Sequence, residues 1–403
     1  MMVSAHERLL AGKPGGRRIS LRFVNLSGLD LSGRNLAEAD FSGSSFDGAK
    51  LTKANFDRAN LFGCDLRKAD LREASLRRAD MRGASLRGAN LSKADLTQAD
   101  FREGQIAIPH PSKGLSMMRH QTRLGELDDV NFSGATLDGT RLNGSTACKA
   151  DFTDCSMRGA KLAQANLKEA NLSGALLQDA EISGANFEGA NLSGAVLTGV
   201  DTGCARMSGA NLSGTLRDLP ADDGVRAADL LARAKAHHDW CTTGGRTGKP
   251  ANFDHQDLRS LGVELKGLQL TALSAKQACL VGLDLSGCQL QGANLEGADL
   301  RGANLNAADL RGARLLRANL TKTSLRKAAL ALLPLGGGRA TPANLSDARL
   351  RYAKVQAADC SGAVFENADL HGANFEAALI DGVGWRGAAL DGAIGLQIGK
   401  AAA

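Results

Sequence analysis

Residues 49–101 read AKLTKANFDRANLFGCDLRKADLREASLRRADMRGASLRGANLSKADLTQADF, and an apolar residue returns at every fifth place. The run is Leu51, Phe56, Leu61, Leu66, Leu71, Leu76, Met81, Leu86, Leu91, Leu96 and Phe101, and upstream it takes in Leu36, Phe41 and Phe46. An amphipathic helix repeats at about 3.6 residues and a half-buried strand at about 2, so neither explains this spacing. A short fixed period held over such a length describes a solenoid, whose units bury their apolar faces only by stacking on one another.

Each unit has its Leu or Phe at the centre, a small residue two places before it, and Asp or Asn in between. Five residues are too few to close a coil, whereas four units make a four-sided turn of twenty. Residues twenty apart then stack, giving interior ladders such as Phe41, Leu61, Met81, Phe101 and Leu36, Phe56, Leu76, Leu96. Ala54, Ala69, Ala74, Ala79, Ala84, Ala89 and Ala94 are expected to point inward, where only a small side chain fits beside leucine. Cys64, Cys155 and Cys288 take that place as small hydrophobes. The Asp or Asn points outward and bonds to turn amides. Gly43, Gly48, Gly88, Gly159, Gly184 and Gly189 suit corners with unusual dihedrals.

Units such as Ala89-Asn90-Leu91, Ala94-Asp95-Leu96 and Ala298-Asp299-Leu300-Arg301-Gly302 resemble the pentapeptide-repeat family. The resemblance covers most of the chain and implies an all-β solenoid, a right-handed quadrilateral β-helix. It is specific to fold and unspecific to function.

A chain of 403 residues would ordinarily suggest two or three domains, but a solenoid core grows along one axis. No run of apolar residues is long enough to suggest a membrane span, and residues 1–16 lack a signal-peptide core. Eight cysteines at irregular spacings, with no CxxC, point to reduced thiols and a cytoplasmic protein.

The centres hold one register from Leu21 to Ile106, shift across residues 107–126, and resume to Leu212. A non-repeat stretch at 215–250 follows, and repeats return at Phe253, with an irregular patch near Ala275 to Cys279 and a break at Leu332 to Pro342 read as a corner loop. The chain also starts twice: HERLLAGKPGGRRISL from His6 and HDWCTTGGRTGKPANF from His238 align at an offset of 232, with Gly12 and Gly16 on Gly244 and Gly248. Ser4 to Glu7 reads as a capping box, and Asp222 or Asp223 as the cap of a helix running to Trp240. The expected organisation is an N-terminal helical cap (1–20), a first β-helix (21–215, loop insert 107–126), a helical insert or cap (216–250), a second β-helix (251–395, loop insert 331–344) and a tail (396–403). The β-helices would be two stacked or side-by-side towers.

Arg67, Arg72, Arg77, Arg82 and Arg87 each follow a centre directly and form a collar, with only Arg67 and Arg87 stacking. Such a collar could meet a polyanion. The blander reading, a solvated collar neutralised by Asp65, Asp70, Glu73 and Asp80, is preferred. Exposed aromatics are scarce, so nucleic acid is not an expected partner. His237, His238, Cys241 and His255 are the only cluster of metal-ligand types, but no second pair accompanies them, and a cap histidine matching His6 is preferred. Gly244 to Lys249 lacks the strand-before, helix-after order of a phosphate loop. His110, His120 and His371 are isolated.

No catalytic group, metal or cofactor is expected, and a filled β-helix leaves no concave pocket. The function expected is a non-catalytic, cytoplasmic protein-interaction scaffold with its partner unnamed. The resemblance implies a second possibility, since some family members mimic DNA and protect DNA gyrase. Here residues 127–215 hold six Lys/Arg and ten Asp/Glu while residues 258–330 hold ten and five, so an acidic rod is at best partial. Polyanion binding is the third. The apolar stretch near Ile380, Val383, Trp385 and Ile394 suggests a homodimer through the C-terminal end.

Overall fold

The computed structural model describes residues 2–110, 114–218 and 223–396. Parallel bridges join outward residues twenty apart: Asn35 to Asn55 to Ser75 to Asp95 on one face, Asp40 to Asn60 to Asp80 to Asp100 on the next. Most bridging residues use both main-chain groups. Asn60 N donates to Ala39 O, and Asn60 O accepts from Phe41 N, both at 2.9 Å. Extended backbone lasts for so few residues because a turn follows at once. Ala39 N donates to Leu36 O at 3.2 Å, closing a four-residue turn whose third residue, Glu38, has φ 60°.

That third place is glycine in many units, but Lys53, Arg58, Lys68, Glu73 and Arg78 also occupy it at φ 55–60°. A side chain in the left-handed region costs about 1–2 kcal/mol, so stacking must hold these turns in shape. Centres and their small partners supply it. From Leu36 to Phe101 every centre is at most 1% exposed, as are Ala54 and Ala69 through Ala94. Cys64, Cys155 and Cys288 fill the small position fully buried, each Sγ donating to a main-chain carbonyl at 2.9–3.0 Å.

The chain forms two compact units, Met1–Asp218 and Leu219–Ala403. In the first, helix α1 (Met2–Leu10) lies on the opening coil. Ser4 is inside the helix, so there is no Ser4–Glu7 capping box. Glu7 Oε1 instead accepts from Asn35 N, an amide of the coil beneath. The repeat register ends at Phe101 rather than Ile106. Beyond it the insert is an antiparallel hairpin, not an irregular loop: β1 (Gly104–His110) pairs with β2 (Gly114–Arg123), Gly104 opposite Arg123. Its root presses on the solenoid, since a β-carbon at Gly104 would lie 2.8 Å from the Phe62 ring. The ladder then resumes with Ser85 bridging Glu126.

In the second unit, helix α2 (Asp223–Thr242) precedes the first coil; Asp222 lies outside the described residues. The irregularity expected at Ala275 to Cys279 falls earlier. Residues 274 and 279 bridge regularly, but Asn252 pairs with Ser274 across two extra residues, taken up around a 3-10 turn at Arg259–Leu261. Leu261 and Leu265 both stay buried and bracket the excess, leaving Val263 exposed. The supposed corner loop is a second hairpin, β3 (Leu333–Gly336) with β4 (Arg339–Thr341), turned by Gly337 and Gly338 at positive φ. At the far end Trp385 is buried, its ring stacked on Phe365 at 5.2 Å, so it does not belong to an outer apolar face. Residues 397–403 of the tail lie outside the described residues.

Candidate functional site

The arginine collar is built by the unit itself. An Asp before the centre and an Arg after it are two residues apart on an extended segment, so both project from the same side of the coil. Arg67 grips Asp65 through two nitrogens at 2.7 and 2.5 Å, Arg72 grips Asp70 at 2.8 and 2.6 Å, and Arg82 grips Asp80 at 2.9 and 2.8 Å. Each carboxylate also accepts from the arginine's own main-chain N–H. These charge-assisted bonds, first among the causes, hold the Asp65 and Asp70 carboxyls below the usual range. The same clamp recurs at Asp100–Arg102, Asp257–Arg259, Asp299–Arg301 and Asp309–Arg311.

Two collar members pair between coils instead. Ser75 and not Asp precedes the Leu76 centre, so Arg77 reaches Asp57 in the preceding coil. Arg87, after Ser85, reaches Asp128 at 3.2 Å, in the coil that follows the hairpin. Glu73, expected to neutralise the collar, faces Lys53 at 3.5 Å. Asp57 and Asp128 are the partners that reading along the chain missed; one coil back from Arg77 finds the first, and one coil plus the hairpin insert forward from Arg87 finds the second. Each collar arginine is thus committed to an aspartate. The depressions around them are shallow, as along Glu38, Asp57, Arg58, Arg77, Arg78 and Gln98, where charges face one another.

The histidine cluster belongs to helix docking. His237 is 1% exposed; its Nδ1 accepts from Ala251 N at 2.9 Å and its Nε2 faces Thr271 O at 3.1 Å. His238 Nδ1 accepts from Gln269 N at 2.9 Å, and Cys241 Sγ points to Thr271 O. His255 sits apart, at a left-handed turn position with φ 59°. Among the described residues no group of three or more His, Cys, Asp or Glu could hold a metal.

His6 makes the same two contacts in the first unit, accepting from Ile19 N at 3.2 Å and meeting Ala37 O at 2.9 Å. The equivalent of His6 is therefore His237, not His238, which instead stands where Glu7 stands. The offset of 232 slips by one here because α2 has one more residue between its histidine and the strand it holds.

The remaining candidates that are described have structural places. Gly244 and Gly245 close α2, donating to Cys241 O and Trp240 O, so the glycine run is a helix terminus. His371 packs edge-on against Tyr352 at 5.4 Å. The side chains of His110 and His120 lie outside the described residues. Among the described residues no helix is long and apolar enough to cross a membrane.

A family model described as pentapeptide repeats matches residues 25–102, 126–215, 269–331 and 343–382. Similar solved structures include HetL, a pentapeptide repeat protein involved in heterocyst differentiation regulation from the cyanobacterium Nostoc sp. strain PCC 7120. It is 22% identical, covering 96% of this chain and 93% of its own, with a TM-score of 0.17. Full-length QnrB1, a plasmid-mediated fluoroquinolone resistance protein, is 19% identical over 53% of this chain and 98% of its own, with a TM-score of 0.19. A pentapeptide repeat protein from the Arabidopsis thaliana thylakoid lumen is 26% identical over 37% of this chain and 72% of its own, with a TM-score of 0.15. No curated protein matches.

Proposed function

The chain belongs to the pentapeptide-repeat family, a right-handed β-helix solenoid, and on that footing we propose that it is a non-catalytic scaffold whose outer faces bind another protein. We read α1 and α2 as caps, each closing the first coil of its own β-helical tower. One observation supports the scaffold reading above others: outward residues stack in straight columns at twenty-residue spacing over a fully packed interior. Such columns offer a partner flat, pre-ordered surface at little entropic cost. The hairpin at 104–123, pressed onto Phe62 at its root, supplies a positioned protrusion on one face. Buried thiols used as core packing at Cys64, Cys155, Cys288 and Cys360 support a reducing cytoplasm.

The test is affinity capture from native cytoplasm, followed by reconstitution of each captured protein with the purified chain. The reading expects a defined complex whose affinity falls when residues 104–123 are replaced by a short turn. Recovery of only those proteins that also bind an unrelated solenoid would refute it.

Gyrase protection by DNA mimicry has in its favour the acidic balance of residues 127–215. Against it, clamped carboxylates such as Asp65, Asp70, Asp80 and Asp100 present neutral pairs rather than phosphate-like charge. Unchanged gyrase supercoiling, with and without quinolone, would eliminate it. Polyanion binding by the collar predicts affinity falling steeply with salt. Half-buried Ile380, Val383 and Leu390 with exposed Leu379 at the last coils suit a second copy of this chain, and a monomeric mass at high concentration would exclude that dimer.

A further inference from the structure

We propose that helix α2 is a proton-released cap: protonation of His237 detaches the helix from the first coil of the second unit. The basis is hydrogen-bond valence. The Ala251 N–H can only donate, so His237 Nδ1 must carry a lone pair; the Thr271 carbonyl can only accept, so Nε2 must carry the hydrogen. Both ring positions are spent on the main chain, and one tautomer is fixed. An imidazolium would set an N–H against the Ala251 N–H, so the proton can enter only if this contact opens. His238 Nδ1 has the same obligation to Gln269 N.

The hydrogen bonds of the His237 ring go to main-chain groups, and no carboxylate is among them. On the helix, Arg233 bonds Asp229 and Asn252 O, while the Cys241 thiol, pushed up by burial, stays protonated and turned to Thr271 O. Trp240 packs at 5.7 Å from the imidazole. On the segments beneath, Asp254 is turned to Ser274 and Lys276 N, and Lys266 to Asp284. The ionisable groups there are Lys249, Asp254, His255, Asp257, Arg259, Glu264 and Lys266, whereas both bonds of the His237 ring go to the main chain. Burial accordingly sets the His237 pKa below the ordinary histidine value of about 6.5, outweighing the Thr271 bond that raises it. A depressed folded pKa means that docking is at full strength above about pH 6.5 and is lost as the pH falls below it.

The first unit supplies an internal comparison. There the carboxylate of Glu7 occupies the place of His238 and holds Asn35 N. Helix α1 thus depends on one histidine acceptor and α2 on two adjacent ones.

The experiment is amide exchange on the full chain, resolved by peptide and corrected for the intrinsic pH dependence of exchange. Protection within residues 228–240 should fall at least tenfold between pH 7.5 and 5.0, and by more than in Met2–Leu10, while residues 290–330 stay unchanged. His237→Gln should give the low protection at both pH values. Because that variant could also loosen the helix for other reasons, the wild-type His237 ring is read directly by nitrogen NMR. A neutral ring protonated on Nε2 and titrating below the ordinary value supports the proposal. Undiminished protection of 228–240 at pH 5.0, an Nδ1-protonated ring, or titration at or above the ordinary value overturns it.

Discussion

Replacing alanine by glycine ordinarily destabilises a folded chain, yet at Ala272, Ala307 and Ala357 it should do the reverse. Each sits at the third place of a turn with φ 57°, 54° and 55°, and each is exposed, so its methyl contributes little packing. Leaving the left-handed region of an L-residue recovers about 1–2 kcal/mol. Glycine's extra freedom in the unfolded chain takes back about 0.4–1 kcal/mol. The net gain is about 0.5–1 kcal/mol per site. No two of the three are in adjacent coils of one column, so the gains should add to about 1.5–3 kcal/mol. With a denaturant slope of about 2 kcal/mol/M, the urea midpoint of the second unit should rise by about 1 M. Trp385, buried against Phe365 in that unit, reports the transition by fluorescence. Ala298→Gly is the control: Ala298 is wholly buried and outside the left-handed set, so it should lower the midpoint. A triple variant that melts at or below wild type would show that these turns are not strained and that the account of the corners is wrong.

Other measurements bear on the core and the clamps. Leu86→Ala should cost about 2–5 kcal/mol and Leu86→Asp more, since Leu86 is wholly buried; thermal melts indistinguishable from wild type would sink the interior ladders. The Cys64 and Cys360 thiols, pushed up to about 12 by burial, should resist a thiol reagent in the native chain while exposed Cys204 reacts; simultaneous reaction of all three would contradict the packing. Burial works to raise the Asp57 carboxyl pKa, but bonds from Arg77 and Ser75 outweigh it and leave it lowered. A lowered carboxyl adds stability that is present above about pH 4 and lost below it. The midpoint difference between wild type and Asp57→Asn should therefore shrink as the pH falls through that range; a pH-independent difference would discount the ion pair.

The period of five identifies the β-helix because it is enforced by packing: a centre such as Leu61 or Met81 cannot move one place without leaving the interior. Features held by the main chain were harder to read. Lys53 and Glu73 carry no local signature of a left-handed turn, because stacking imposes that conformation on whatever residue falls there. The hairpin at 104–123 has no repeating centre, and its pairing follows from two runs meeting across residues the repeat does not govern. His237 and His238 are adjacent in sequence, and only the docked helix decides which meets Thr271 and which meets Gln269. The collar's spacing was legible, whereas the partners Asp57 and Asp128 are neighbours only after the coil closes.

The bridges flanking each interruption have a consequence for how such a chain can change. Ser85 meets Glu126 and Arg314 meets Asn344, although one detour carries a long hairpin and the other a short one. Each detour leaves from a corner and rejoins at the site the uninterrupted thread would have reached, so nothing downstream is displaced. Genetic lengthening at a corner is thereby uncoupled from the rest of the molecule, which acts as a rail on which new segments can be hung one at a time.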